Sequence, residues 1–233
     1  MTGTLYGIGT GPGDPELVTR KAWRIVSEAQ VIAYPSAEGT GSFARSIMAK
    51  AISPDAVEIE MPVPMVSGRA PAQSIYESGA ATIRQHLEAG RDVAVLCEGD
   101  PLFYGSFMYV LARLRDDFTT MVIPGVTSMT ACASAHRQAL VARNDTLVVI
   151  PATLDDETIR DRIAMAEAAV IMKLGRHLPR LKFLLDGMGL TGKALFVSHA
   201  SLPHENAKPL AEAPEEAPYF SMIIIYKGAD PWI

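Results

Sequence analysis

Cysteine is nearly absent, with two in 233 residues, Cys97 and Cys132. Two thiols cannot build a disulfide scaffold, and so few fit a reducing compartment. A chain of this length needs no such staples, because it can bury roughly 70 % of its unfolded surface. Long apolar runs are missing as well. Uninterrupted ones are short, such as residues 222–226, where a membrane span needs ~18. The opening MTGTLYGIGTGPGD lacks the basic start and apolar middle of a signal peptide. These features set the expectation of a soluble, cytoplasmic protein without a membrane segment. No run of one charge sign occurs. The net charge of −5 argues against a dedicated nucleic-acid binder, whose footprint is usually basic. Histidine is sparse and scattered. Cys132 and His136 stand one helical turn apart, but no further ligand cluster completes a metal site.

What is present is an ordinary globular composition, 48 % hydrophobic and 20 % charged. Short apolar runs alternate with longer amphipathic stretches. Strands are expected at 5–8, 31–34, 57–59, 93–97 and 120–123, with helices at 16–28, 43–51, 72–89 and 106–114. Gly90 is a natural C-cap for the third of these helices. The second half continues with helices at 128–138, 155–168 and 178–185, and strands at 146–150, 169–173, 193–198 and 220–226. Residues 201–218 read as a polar loop with one short strand. Such alternation predicts two α/β domains, 1–123 and 124–233, with mostly parallel sheets and helices on both faces.

Two glycine motifs fail on spacing. In the cluster Gly7–Asp14, the third glycine of a dinucleotide fingerprint would fall on Pro12, which lacks the amide that cradles phosphate. Gly187 to Lys193 matches a P-loop, but Ala194 stands where the magnesium-binding hydroxyl belongs, and a strand follows instead of a helix. A nucleophile elbow of the G-x-S-x-G kind is also missing.

The informative pieces lie at strand ends, where open α/β sheets place their ligands. Glu98-Gly99-Asp100-Pro101 closes one strand, followed by Leu102-Phe103-Tyr104-Gly105. Gly99 lets a ligand approach the backbone, Pro101 fixes the turn, and Asp100 offers an acceptor. Pro124-Gly125-Val126-Thr127-Ser128 closes the next strand and opens a helix, whose free amides suit a carboxylate. A plain turn accounts for these segments equally well.

Taken together, these segments resemble the signatures of the tetrapyrrole methylases. Gly7–Asp14 followed by Pro15-Glu16-Leu17-Val18-Thr19-Arg20-Lys21-Ala22 is similar to the first, Glu98-Gly99-Asp100-Pro101 to the second and Pro124-Gly125-Val126-Thr127-Ser128 to the third. Val170-Ile171-Met172-Lys173 and Phe220-Ser221-Met222-Ile223-Ile224 are similar to later family strands, so the resemblance covers nearly the whole chain in order. Gly99 to Phe107 and Met61-Pro62-Val63-Pro64-Met65 resemble the branch that methylates carbon 20 of precorrin-2 or of its cobalt-loaded counterpart. Val197-Ser198-His199-Ala200-Ser201 departs from the acidic–basic pair expected at that place.

The resemblance implies a homodimer of class III methyltransferase type, with an active site in a trough between the domains. The N-terminal domain would take the tetrapyrrole. S-adenosylmethionine would bind at the interface, and S-adenosylhomocysteine would leave. Thr10, Asp100, Phe103 and Tyr104 are expected against the cofactor, with Gly99 and Pro101 shaping the loop. Thr127 and Ser128 would reach its polar groups, and Met172, Ala200 and Met222 would lie near the adenine. Pro12, Gly13 and Asp14 would face the substrate. Asp14 is a candidate base for the meso proton, with helix capping as the plain alternative. The substrate carries many carboxylates, so a basic lining drawn from Arg20, Lys21, Arg45, Arg84, Lys173 and Arg176 is expected. No metal, nucleic acid or membrane partner is implied.

Overall fold

A computed structural model describes residues 2–37, 39, 41–64 and 70–228. Met65, the last residue of the segment at 61–65, lies outside the described residues. The chain divides into two compact units, Met1–Thr127 and Ser128–Ile233. Each carries its own sheet and its own core clusters.

The first unit holds β1 (Leu5–Gly9), α1 (Arg20–Glu28), β2 (Val31–Ala37), α2 (Phe43–Ile47), β3 (Val57–Val63), α3 (Ala70–Glu88), β4 (Val93–Cys97), α4 (Phe107–Leu114) and β5 (Thr120–Ile123). Its sheet runs in the order β3-β2-β4-β1-β5, and all of its pairings are parallel. Every residue of β4 is buried, as expected of a central strand covered on both faces. One face packs Leu5, Val93, Val95 and Cys97 against Tyr76 and Ile83 of α3 and Phe107 and Val110 of α4. The other packs Ile8, Ile32, Ala94 and Leu96 against Ala22 and Val26 of α1 and Ala44 of α2.

The expected helix at 16–28 is broken. Asp14 caps a short 3-10 turn, Pro15–Leu17, and accepts the Glu16 amide at 2.9 Å. Val18 and Thr19 are then extended, and the Thr19 hydroxyl caps a fresh helix by accepting the Ala22 amide at 3.2 Å. Strand β2 continues through Pro35, which the sequence reading took as its end. Its pairing with β4 stops at Ala33, so from Pro35 onward only β3 lies alongside, and a missing amide is tolerated on that free edge.

The second unit holds α5 (Ser128–His136), β6 (Leu147–Pro151), α6 (Asp156–Ala164), β7 (Ala168–Met172), α7 (Leu178–Gly187), β8 (Ala194–Ser198), β9 (Asn206–Pro209) and β10 (Ser221–Tyr226). Here the expectation of a mostly parallel sheet needs correction. The order is β6-β7-β10-β8-β9, and β10 runs antiparallel to both β7 and β8, as β9 does to β8. Five of the six residues of β10 are buried, and a strand buried on both faces reads as one apolar run whichever way it points. Ile150, Ile171, Phe196 and Ile223 face α6 and α7 on one side. Val170, Val197, Met222 and Ile224 face Ala131 and Cys132 of α5 on the other.

Candidate functional site

Three loops leave the carboxyl ends of β4, β1 and β5, which are neighbours in the first sheet. They are joined backbone to backbone. The Gly99 amide donates to the Gly11 carbonyl at 2.8 Å, and the Gly11 amide returns to the Gly99 carbonyl at 3.2 Å. Both glycines sit at positive φ, +62° and +77°, where a side chain is strained. A Cβ on Gly9 would stand 2.5 Å from the Gly125 amide nitrogen, and one on Gly125 would stand 2.0 Å from the Gly99 oxygen. One glycine from each loop is therefore required for the three to close on each other.

Asp100 tightens this junction. One carboxylate oxygen accepts the Leu102 amide at 2.9 Å and the other accepts the Gly125 amide at 3.1 Å. The residue placed against the cofactor by resemblance thus spends both oxygens on backbone, clamping the β4 loop to the β5 loop. Thr10 behaves similarly. It is fully buried, and its hydroxyl donates to the Cys97 carbonyl at 3.1 Å. Besides backbone, this end of the sheet exposes Glu98, Leu102 and Tyr104 and part of Phe103, and the Phe103 and Tyr104 rings meet edge to face at 5.2 Å. Tyr104 is half-exposed and holds a positive φ of 56°, a conformation that costs energy for a bulky residue. Pro101 is buried behind it. Pro12 is partly buried and Gly13 buried in the β1 loop, beside the Asp14 cap.

One residue at this end carried no role in the sequence reading. Glu98 directly follows β4, reaches the surface with part of its side chain, and its side chain makes no hydrogen bond or ion pair among the described residues. Burial among packed protein atoms raises its carboxyl above the ordinary range. Its place after the central strand was readable in the sequence, but its freedom from partners was not.

In the second unit, Met172 and Met222 are cross-strand partners at the carboxyl end of β7, and both join Ala200 in the cluster beneath α5. Ser128 opens that helix, and Thr127 precedes it. Lys173, His199 and Ser201 leave the ends of β7 and β8 at positive φ, 60°, 53° and 67°. Non-glycine residues in that region mark strained backbone, which concentrates at functional sites. The His199 ring meets that of His204 at 4.2 Å with the planes tilted by 52°, and burial followed by the charge of His204 lowers the His199 pKa.

The residues expected to form a basic lining stand at different places in the two units. Arg84 does not belong to such a lining. Its guanidinium pairs with Asp117 at 2.6 Å, beyond the carboxyl end of α4 and just before β5, at the opposite end of the sheet from the glycine junction. Arg45 is held by both oxygens of Glu58, at 2.8 and 2.7 Å, and that bond pulls the Glu58 carboxyl down. Lys21 lines a shallow cavity with Tyr6, Arg24, Asp92 and Met121, and Tyr6 and Asp92 stand at strand amino ends. Arg20 opens α1 and is exposed, as are Lys173 and Arg176 after β7. Among the described residues no group of three or more His, Cys, Asp or Glu could hold a metal, and no helix is long and apolar enough to cross a membrane.

The fold and the glycine junction define a two-unit α/β protein whose first sheet draws three glycine loops together at the carboxyl ends of its strands. The family model of the tetrapyrrole (corrin/porphyrin) methylases matches residues 4–214. A precorrin-2 C(20)-methyltransferase of a Sinorhizobium species is 40 % identical over 232 residues, covering 96 % of this chain and 95 % of the relative. A cobalt-precorrin-2 C(20)-methyltransferase of Salmonella typhimurium is 30 % identical, covering 97 % and 98 %. Among solved structures, a uroporphyrin-III C-methyl transferase from Thermus thermophilus complexed with S-adenosyl homocysteine superposes with a TM-score of 0.68. That pair shares 25 % identity, over 95 % of this chain and 97 % of that one. The chain belongs to the tetrapyrrole methylases and is a methyltransferase.

Proposed function

We propose that the enzyme transfers the methyl group of S-adenosylmethionine to carbon 20 of precorrin-2 in cobalamin biosynthesis, giving precorrin-3A. The observation that carries this reading is the end-to-end identity of 40 % with a precorrin-2 C(20)-methyltransferase, against 30 % with the cobalt-precorrin-2 enzyme. The cobalt-loaded substrate is the second reading, kept because both relatives align over nearly their full length. When bound, S-adenosylmethionine supplies an electrophilic methyl on sulfur. The donor set fits such a molecule. In the first unit, bare backbone at Gly99 admits close approach and Phe103 and Tyr104 offer aromatic rings; in the second, partly buried Met172 offers an apolar side chain backed by buried Ala200 and Met222. Thr127 and Ser128 supply hydroxyls for its polar groups. Asp100 and Thr10 act behind these contacts by fixing the loops.

Carbon 20 of a reduced tetrapyrrole is already electron-rich, so no protein nucleophile is needed. Holding the acceptor carbon in line with the sulfonium at about 3–3.5 Å supplies much of the rate. Arg20, Lys173 and Arg176 are proposed to receive substrate carboxylates. We further propose, from the family resemblance, that the working protein is a cytoplasmic homodimer. Incubation with S-adenosylmethionine and either metal-free or cobalt-loaded precorrin-2, followed by mass spectrometry and carbon NMR, tests the reading. One methyl at carbon 20 of the metal-free substrate is expected. Turnover of the cobalt form alone moves the enzyme to the second reading, and a methyl on another carbon overturns both.

A further inference from the structure

We propose that Glu98 is the general base that takes the proton from carbon 20 after methyl transfer, an inference that rests on the function proposed above. The first two signature segments, Gly7 to Ala22 and Glu98-Gly99-Asp100-Pro101, hold four carboxylates, Asp14, Glu16, Glu98 and Asp100, in the chain that follows β1 and β4. Asp14 holds the Glu16 amide as a cap. Asp100 holds two backbone amides, one with each oxygen. The side chains of Glu16 and Glu98 make no hydrogen bond or ion pair among the described residues; Glu16 stands in the 3-10 turn Pro15–Leu17, whereas Glu98 directly follows the central strand β4 and is partly exposed. Asp14 and Asp100 hold backbone amides in place, and taking up a proton would weaken those bonds.

Its backbone is also fixed on both sides. The Cys97 carbonyl before it accepts the Thr10 amide at 2.9 Å, and Gly99 after it is bound to Gly11 in both directions. A carboxylate without side-chain partners on a backbone held at both neighbours suits a general base, whose position must be fixed relative to its substrate. Burial alone raises the carboxyl, with no neighbouring charge contributing, while the Cys97 thiol is the titratable neighbour that feels the Glu98 charge. A raised carboxyl is a stronger base when ionised, which suits removal of a carbon-bound proton.

The step balances as follows. The ring's π pair forms the new bond from carbon 20 to the methyl carbon. The pair of the breaking sulfur–methyl bond returns to sulfur, leaving a neutral thioether. Carbon 20 then carries both the methyl and its original hydrogen on a cationic ring. Glu98 takes that hydrogen as a proton, the released pair restores the π system, and the neutral carboxyl later gives the proton to water.

The test uses full-length enzyme carrying Glu98→Gln, with Glu98→Asp as the variant that keeps a carboxylate. Wild type must first place a methyl on carbon 20; if it does not, the proposed function fails and the base has no reaction to serve. Given that activity, Glu98→Gln is expected to lower kcat by about 10²–10⁴-fold, the range general bases contribute. A primary isotope effect from carbon-20-deuterated substrate should appear or grow, and S-adenosylhomocysteine affinity by calorimetry should hold within twofold. Glu98→Asp should recover part of the rate. In the unliganded protein, carbon NMR of labelled glutamate should show one carboxyl titrating above the ordinary range and missing in Glu98→Gln. The proposal is overturned if Glu98→Gln turns over within fivefold of wild type, if no isotope effect develops, or if the NMR titration shows no raised carboxyl. Should Glu98→Gln fail to fold, Glu98→Asp and the wild-type titration decide in its place, and a fully active Glu98→Asp without a raised wild-type carboxyl rejects the assignment.

Discussion

At the scale of single residues, the site is made as much by missing side chains as by present ones. Gly125 shows this most sharply, because a Cβ there would meet the Gly99 carbonyl oxygen at 2.0 Å. The obstacle is backbone, which cannot rotate aside. Gly125→Ala is therefore expected to cost at least 2 kcal/mol of stability, in the range of overpacking and strain (~1–3 kcal/mol or more). It should also abolish S-adenosylhomocysteine binding, read by thermal melting and calorimetry. A control at Gly192, where a Cβ would meet nothing within 4 Å, should leave both unchanged. Sequence alone placed these glycines in segments at or beside strand ends. It could not show that three of them touch, because strand neighbours β4, β1 and β5 lie far apart along the chain. Asp100 was equally opaque. An acceptor at a strand end reads as a ligand contact until its partners are seen, and here both partners are backbone amides.

At the scale of elements, local chemistry decided the boundaries that periodicity blurred. Strands β4 and β5 stand at the expected residues, since each is a short apolar run stopped by Gly or Pro. The segment at 16–28 was harder, because its apolar spacing continues across the break. The deciding feature is the Thr19 hydroxyl, which starts α1 afresh. Thr19→Ala should cost about 1 kcal/mol, the usual worth of an N-cap, measured by urea unfolding. Thr19→Ser should restore most of it. Strand direction in the second sheet was not legible at all, for β10 is buried on both faces and carries no polar alternation to show which way it pairs. Basic residues taught a similar lesson. Arg84 and Lys21 looked like anion ligands by type, yet their elements carry them toward the amino ends of the strands.

At the scale of the whole molecule, two cores and two thiols set the behaviour. Cys97 and Cys132 are both free, buried and in separate units. Burial pushes the Cys132 thiol up to about 12, and the Cys97 thiol is raised for the same first cause. An acid whose folded pKa exceeds its unfolded value stays protonated in the native state while the unfolded chain ionises. The native state then binds more protons, so stability falls as pH rises from about 9 toward about 12. Melting temperature should thus decline over that window, and a Cys132→Ala variant should show a shallower decline. Iodoacetamide at pH 8 should label neither thiol in the folded protein, with mass spectrometry as the readout.

The mutual hydrogen bonds between Gly11 and Gly99 have a dynamic consequence. Two loops that share both an amide and a carbonyl cannot open singly, and the Asp100 carboxylate ties the Gly125 amide to the same event. Their three amides should exchange with deuterium at one common rate, and a ligand touching any one loop should slow all three together. Such a junction reports occupancy across the strand ends as a single two-state latch, so a binding event at one loop is felt as order in segments more than a hundred residues apart in the chain.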